Sequence, residues 1–292
     1  MNDPMRAALS PFLAGLLALA PAASAAPAAK AKALGNGPTA KSPPACGARI
    51  LPLSVGNKWT YESVAAPQAA IEAIAKIAPP TPKSFTIEVM KVEPQKNGDT
   101  LVSLDETVTY NLEKDTGKPI KPDNRVVHSQ ITCNTKGKFE ISPDSFFFAG
   151  EPGGFMGLAL DDVKRSKDTS LKLTNGGIGE ADWREDIVAH FTHVPTQGVD
   201  VKMSAGKLEL ERKFTPAQPE AVSTKMGGYN AEKIALVTTG RITLETANAP
   251  EPKPMELPAG WTNVLWMAPG VGYVQTLNAY AHEYQLVDAQ LK

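Results

Sequence analysis

The chain has 292 residues, 42% of them apolar, and its 30 basic and 31 acidic residues leave a net charge of -1. Such a length and apolar fraction suit a folded domain with a sizeable core and exclude a disordered chain. Balanced charge without a basic block excludes the electrostatic footprint of a nucleic-acid binder.

Arg6 precedes an apolar run over residues 7–20, and Ala23, Ser24 and Ala25 form a small-residue cleavage pattern, so residues 1–25 read as a secretory signal peptide. The run is shorter than the ~20 residues of a membrane span, and no cysteine ends it to carry a lipid. The expectation is a soluble exported protein, periplasmic or extracellular, not lipidated, and not integral to a membrane after processing. Residues 26–49, built from Ala, Pro, Lys and Gly without an apolar period, read as a flexible leader, and 50–292 as a single β-rich domain. In an exported chain, the even cysteine count favours a Cys46–Cys133 bridge over two buried or free thiols.

In the domain, residues 58–64 alternate, with Trp59 and Tyr61 on one face, as a half-buried strand does. Residues 67–78 carry a helical period through Ile71, Ile74, Ala75 and Ala78, stopped by Pro79 and Pro80. Strand patterns follow at 84–93 and 100–112, joined through Asn97-Gly98-Asp99, then at 124–132 and 137–142. Val102, Leu104, Val108 and Tyr110 share an apolar face that Glu106 interrupts. Phe146, Phe147 and Phe148 then run into a glycine-rich loop ending in Phe155 and Met156, and 161–168 reads as a charged, solvated stretch. Further strands are expected at 187–194, 198–203, 207–214 (with Arg212 on the apolar side), 229–237 and 241–246. A proline-rich loop and a terminal hairpin over 261–291 complete the chain. The sum predicts a mainly β fold.

No motif points to catalysis. His190 and His193 have metal-like spacing, but on a strand positions i and i+3 face opposite ways. His282 reads as a core-edge residue among tyrosines, and His128 has no evident partner. The pairs Asp161-Asp162 and Glu185-Asp186 are expected to be solvated. No G-x-S-x-G elbow or phosphate loop occurs. No catalytic residue, metal or cofactor is therefore expected. The best candidate for binding an apolar ligand is Phe146, Phe147, Phe148, Phe155 and Met156, with Ile71 and Ile74 from the helix.

Three stretches carry a resemblance: PLSVGNKWTY over 52–61, KMGGYNAEKI over 225–234, and WMAPGVGYV over 266–274 followed by YQLVD over 284–288. Together they resemble exported bacterial proteins of unknown function that open and close with such motifs. The resemblance implies a single curved antiparallel sheet, a half-barrel similar to periplasmic lipoprotein carriers, with one short helix packed on or over its concave face. Gly56, Trp59, Tyr61, Trp266, Pro269, Gly270 and Gly272 are expected to open and fasten that sheet. The expected role is a non-enzymatic binding or carrier protein for a lipid, a lipid-like ligand or a protein segment. The alternatives are an envelope structural or interaction protein with a filled core, and a hydrolase with an unrecognised site.

Overall fold

A computed structural model describes residues 37–40, 50–76, 78–110, 123–134, 139–166, 173–174, 177–178, 182–193, 205–245 and 254–292. In chain order the elements are β1 (Lys58–Val64), α1 (Glu72–Ala75), β2 (Ser84–Pro94), β3 (Thr100–Tyr110), β4 (Asp123–Cys133), β5 (Phe139–Ile141) and α2 (Phe146–Ala149). After a 3-10 turn (Phe155–Gly157) come β6 (Ala159–Arg165), β7 (Leu173–Thr174), β8 (Gly177–Ile178), β9 (Trp183–His193), β10 (Ala205–Thr224) and β11 (Gly227–Glu245). The chain finishes with β12 (Pro254–Glu256), β13 (Thr262–Ala268), β14 (Gly272–Leu277) and β15 (Glu283–Gln290).

All strands but β7 and β8 join one sheet, ordered β5-β4-β3-β2-β1-β15-β14-β13-β11-β10-β9-β6, with β12 beside β11. Every pairing is antiparallel. The expected class therefore stands: one large antiparallel sheet, not closed into a barrel, with two short helices. The strand alternation buries one face, as on β3, where Val102, Leu104, Glu106 and Val108 are all inaccessible to solvent.

The first and last parts of the domain meet as the two motifs suggest. β1 pairs with β15, Trp59 Nε1 donates to the Val271 carbonyl at 2.5 Å, and Tyr61 OH donates to the Tyr273 carbonyl at 2.8 Å. The closing turn is type II: Val271 N–H returns to Ala268 O at 3.0 Å with Pro269 at its first corner, and Gly270 has φ 78°. Residues 37–40, in the stretch read as a leader, lie against this region, where Ala40 N–H donates to Gly270 O at 2.7 Å.

Several expectations need correction. The helix expected over 67–78 is one turn, Glu72–Ala75, because no side chain caps its start and it buries only Ile74. The charged stretch from 161 is solvated as expected over Asp161, Asp162 and Lys164, but it is a strand. This edge strand, β6, turns Arg165 inward. β10 runs far past 214, through Pro216 and Pro219. Its partner β9 ends opposite Phe214, so those prolines leave no ladder donor missing there. Asn263, Leu265 and Met267 alternate inward, whereas Trp266 lies on the outer face, its Nε1 donating to Glu220 at 3.1 Å and its ring 5.0 Å from Lys233 Nζ. Both tryptophans of this hairpin are buried, Trp261 at 0% and Trp266 at 7% exposed. The strand expected at 198–203 lies outside the described residues.

Candidate functional site

The phenylalanine run forms α2. The Ser145 hydroxyl caps its start by accepting the Phe147 N–H at 3.2 Å, and Gly150 ends it in the left-handed region at φ 72°. A Cβ on Gly150 would lie 2.8–2.9 Å from Thr276 and Leu265. A one-turn helix is unstable alone and leaves its terminal peptide groups without intrahelical partners. Here the sheet supplies them. Tyr273 OH donates to Phe147 O at 2.7 Å, Arg212 Nη2 to Phe148 O, Asn263 Nδ2 to Ala149 O at 2.8 Å, and Thr276 Oγ1 to Gly150 O at 3.3 Å. At the other end, Phe146 N–H donates to both oxygens of Glu106, at 2.9 and 3.0 Å.

These partners measure the sheet's curvature. Glu106 on β3 and Arg212 on β10 are seven strands apart in the sheet order, which laid flat is roughly 34 Å. Both reach the same helical turn, so the sheet curls around α2. A bulge aids this: the β13–β14 register shifts at Val274, so Tyr273 and Thr276 can both point at the helix. Around α2, Phe146 lies 4.8 Å from Tyr61 and 4.7 Å from Phe85, and Phe147 lies 5.5 Å from Trp59 and 5.2 Å from Tyr273, between ring centroids. Phe155 bridges Phe148 and Trp261, at 6.1 and 5.7 Å.

Three ionic groups tie the two ends of the sheet together. Glu185 on β9 binds Arg212 Nη1 at 2.7 Å and also Arg165 Nη1, and Arg165 Nη2 reaches across to the Ile141 carbonyl on β5. A side chain, not a strand ladder, thus joins terminal strands β5 and β6. The Arg212 guanidinium lies 3.4 Å from the Phe148 ring centroid and 4.9 Å from that of Phe214. Its burial lowers its pKa to about 10, so it stays charged at neutral pH. Beside this group is a cavity of about 10 Å³, room for roughly one water.

Two more carboxyls are buried here. Burial raises Glu106 to about 7 against the pull of Ser129, Ser145 and the Phe146 N–H, which donate to it. Burial likewise raises Glu151 to about 7, against Asn263, the Met156 N–H, Arg212 and Trp261.

Phe146, Phe147, Phe148 and Phe155 are therefore brought together, but as core: none is more than 2% exposed. Ile74 joins the core, Met156 is half-buried at φ 54°, and Ile71 is 51% exposed beside Gly260. Glu185 is buried and not solvated, because alternation on β9 turns it inward and its neighbour Asp186 outward. His128 does have a partner, Asp105 directly across the strand pair at 2.7 Å. His282 accepts or donates at Thr81 Oγ1, 2.9 Å away, and burial lowers its pKa. The side chain of His193 lies outside the description, and no group of three or more His, Cys, Asp or Glu suited to a metal occurs among the described residues. Cys133 is buried on β4 and is not a free thiol. Cys46 lies outside the described residues, so their bridge stays an expectation.

Glu106, Arg212, Glu185, Arg165, Asn263, Tyr273 and Thr276 were not among the expected site residues. Glu106 and Arg212 did leave a signal, each as a charge on an otherwise apolar strand face.

Fold and site together define a curled, open antiparallel sheet filled by a helical plug of its own chain. No family model matches the sequence, and no curated protein matches it. Among solved structures, one similar chain is a protein provisionally described as a lipoprotein, from Parabacteroides distasonis. It has 12% identity and a TM-score of 0.41, over 82% of this chain and 98% of that one. Another is a provisionally described exported protein of YmcC-like fold from Bacteroides fragilis, with 13% identity and a TM-score of 0.38, over 81% of this chain and 96% of that one. Likeness at this level fixes no role. Among the described residues no helix is long and apolar enough to cross a membrane.

Proposed function

We propose that this is an exported, non-enzymatic structural or interaction protein of the cell envelope, free in the periplasm or medium, whose concave face is filled by its own side chains. One observation carries the reading. The face that would receive an apolar ligand is occupied by α2, whose carbonyls are bonded from β10, β13 and β14. Apolar binding sites need open concave space with few polar groups. Among the described residues, the cavity lined by Phe147, Phe148, Arg212 and Tyr273 has about 10 Å³, far below a lipid chain. Export is supported by the signal-like residues 1–25.

Native mass spectrometry of protein purified from cells tests this, alongside uptake of a fluorescent fatty acid. The expected result is the bare chain mass and no uptake. A co-purifying lipid, or saturable uptake, would overturn the filled-core reading in favour of a carrier.

A further inference from the structure

The motif stretches at 225–234 and 266–274 have a neighbour in common, the leader. β13 pairs with β11 over Glu232–Val237, so Gly227–Ala231, at the tip of the β10–β11 hairpin, pair with β10 alone among the described strands. There the Gly228 carbonyl accepts the Gly37 N–H at 3.4 Å, and in the closing turn the Gly270 carbonyl accepts the Ala40 N–H at 2.7 Å. Gly37 is buried against Tyr229, and a Cβ on it would lie 2.2 Å from Cζ and Oη of that ring. Tyr229 is 7% exposed, and its hydroxyl, aimed at Gly37, has no hydrogen-bond partner among the described residues. On the other side Gly270, at φ 78°, lets Thr39 approach closely: a Cβ there would lie 3.2 Å from Thr39 Cβ. We propose that the hairpin tip and the closing turn form a peptide-binding groove, selective for a short segment with glycine over Tyr229, and that its resident ligand is the chain's own leader at Gly37–Ala40. This goes beyond the filled-core reading and does not rest on it.

What the groove selects follows from its groups. It offers two carbonyl acceptors on separate elements and takes two N–H donors three residues apart, so it reads a ligand through the backbone. The first donor has to be glycine, because the Tyr229 ring fills the volume of any side chain there and is itself held by burial. Pro38 and Thr39, between the donors, are exposed, so their side chains are read weakly. Pro38 has no N–H to leave unpaired, and its fixed φ reduces the freedom the segment gives up on seating. Two backbone bonds make a weak site, since each shifts the seating by about five- to ten-fold. A short tether supplies an effective concentration in the millimolar range. The leader is therefore seated where a free peptide of the same sequence would need a comparable concentration.

The test uses the full chain. Amide hydrogen exchange by NMR should show Ala40 about ten-fold or more slower than in a synthetic peptide of residues 34–44, and Gly37→Leu should return it to the peptide's rate. That peptide, added at about 1 mM, the order of a short tether's effective concentration, should shift the Gly228, Tyr229 and Gly270 amides of the Gly37→Leu chain. It should leave wild type, whose groove is occupied, unshifted. A peptide carrying the Gly37→Leu change should shift neither chain. If Gly37→Leu fails to fold, Ala40→Pro, which removes the second donor, takes its place and should also admit the peptide. An Ala40 amide exchanging in wild type at the peptide's rate would overturn the proposal, as would an unaltered peptide that shifts both chains alike or neither.

Discussion

Replacing Glu185 with Gln is expected to destabilise the protein more than replacing Arg212 with Met, although Gln keeps the shape and Met removes a whole guanidinium. The reason is the charge count at the seam. Glu185 holds both Arg212 and Arg165. Without the Arg212 charge, Glu185 and Arg165 remain a balanced pair. What is lost is the bond to Glu185 Oε2, the bond to Phe148 O and the contact with the Phe148 ring, offset in part by the buried Met side chain, a net cost of roughly 2–3 kcal/mol. Without the Glu185 charge, two guanidiniums face each other with no counterion, and Arg212 is only 2% exposed. Breaking a buried pair in this way costs roughly 3–5 kcal/mol. The expected gap is about 2 kcal/mol, a sizeable part of the roughly 5–15 kcal/mol that holds a domain together. Urea unfolding at pH 7, followed by circular dichroism and tryptophan fluorescence, measures it as a midpoint shift at constant slope. If Arg212→Met proves the more damaging, or the two are equal, Glu185 is not the centre of the seam.

Other outcomes follow from the same geometry. Trp261→Ala should cost roughly 3–5 kcal/mol, as an emptied core site does. Trp266→Ala, on the other face but only 7% exposed under Glu220 and Lys233, should cost roughly 3 kcal/mol, the low end of the same range; a loss under about 1 kcal/mol in thermal melts would contradict its burial. Protein unfolded without reductant should show no thiol reactive to Ellman's reagent, and reduction should lower stability by up to about 4 kcal/mol if Cys46 closes its long loop with Cys133. Two reactive thiols per chain would refute the bridge.

The β class and most strands were legible because alternation is a local property. β3 repeats it along its whole length and β2 as far as Val89, and Gly98 marks the turn between them. The closing turn at Pro269 and Gly270 was legible from its turn residues, whereas its meeting with Trp59 and Tyr61, some two hundred residues away, was expected from the resemblance. What fills the sheet was not legible. A run of three phenylalanines before a glycine reads equally as pocket wall or packed core, since periodicity does not report what lies on the far side of a ring. The helical period at 71–78 was genuine but short, and a single turn with one buried residue does not extend without a cap. Arg165 and Glu185 escaped because each adjoins exposed charges along its strand. Only cross-strand pairing, which sets Arg212 directly opposite Glu185, reveals which member of the run turns inward.

Glu106 offers the sharpest test of that lesson. By pattern alone it is a defect: an acid on a face otherwise made of Val102, Leu104, Val108 and Tyr110. Glu106→Val would perfect the alternation and suit a strand. A gain of roughly 1.5–3 kcal/mol would be expected from an apolar side chain buried there. The structure argues for a net loss. Val would leave the Phe146 N–H and the hydroxyls of Ser129 and Ser145 without their acceptor. Each orphaned buried group costs about 1–3 kcal/mol, the hydroxyls less if they rotate to other partners. Three of them outweigh one valine by roughly 2–4 kcal/mol. Glu106→Gln, which keeps an acceptor at α2, should lose less than Glu106→Val at pH 5.5, where the native carboxyl is protonated. A more stable valine variant would mean that the plug does not depend on the acid beneath it.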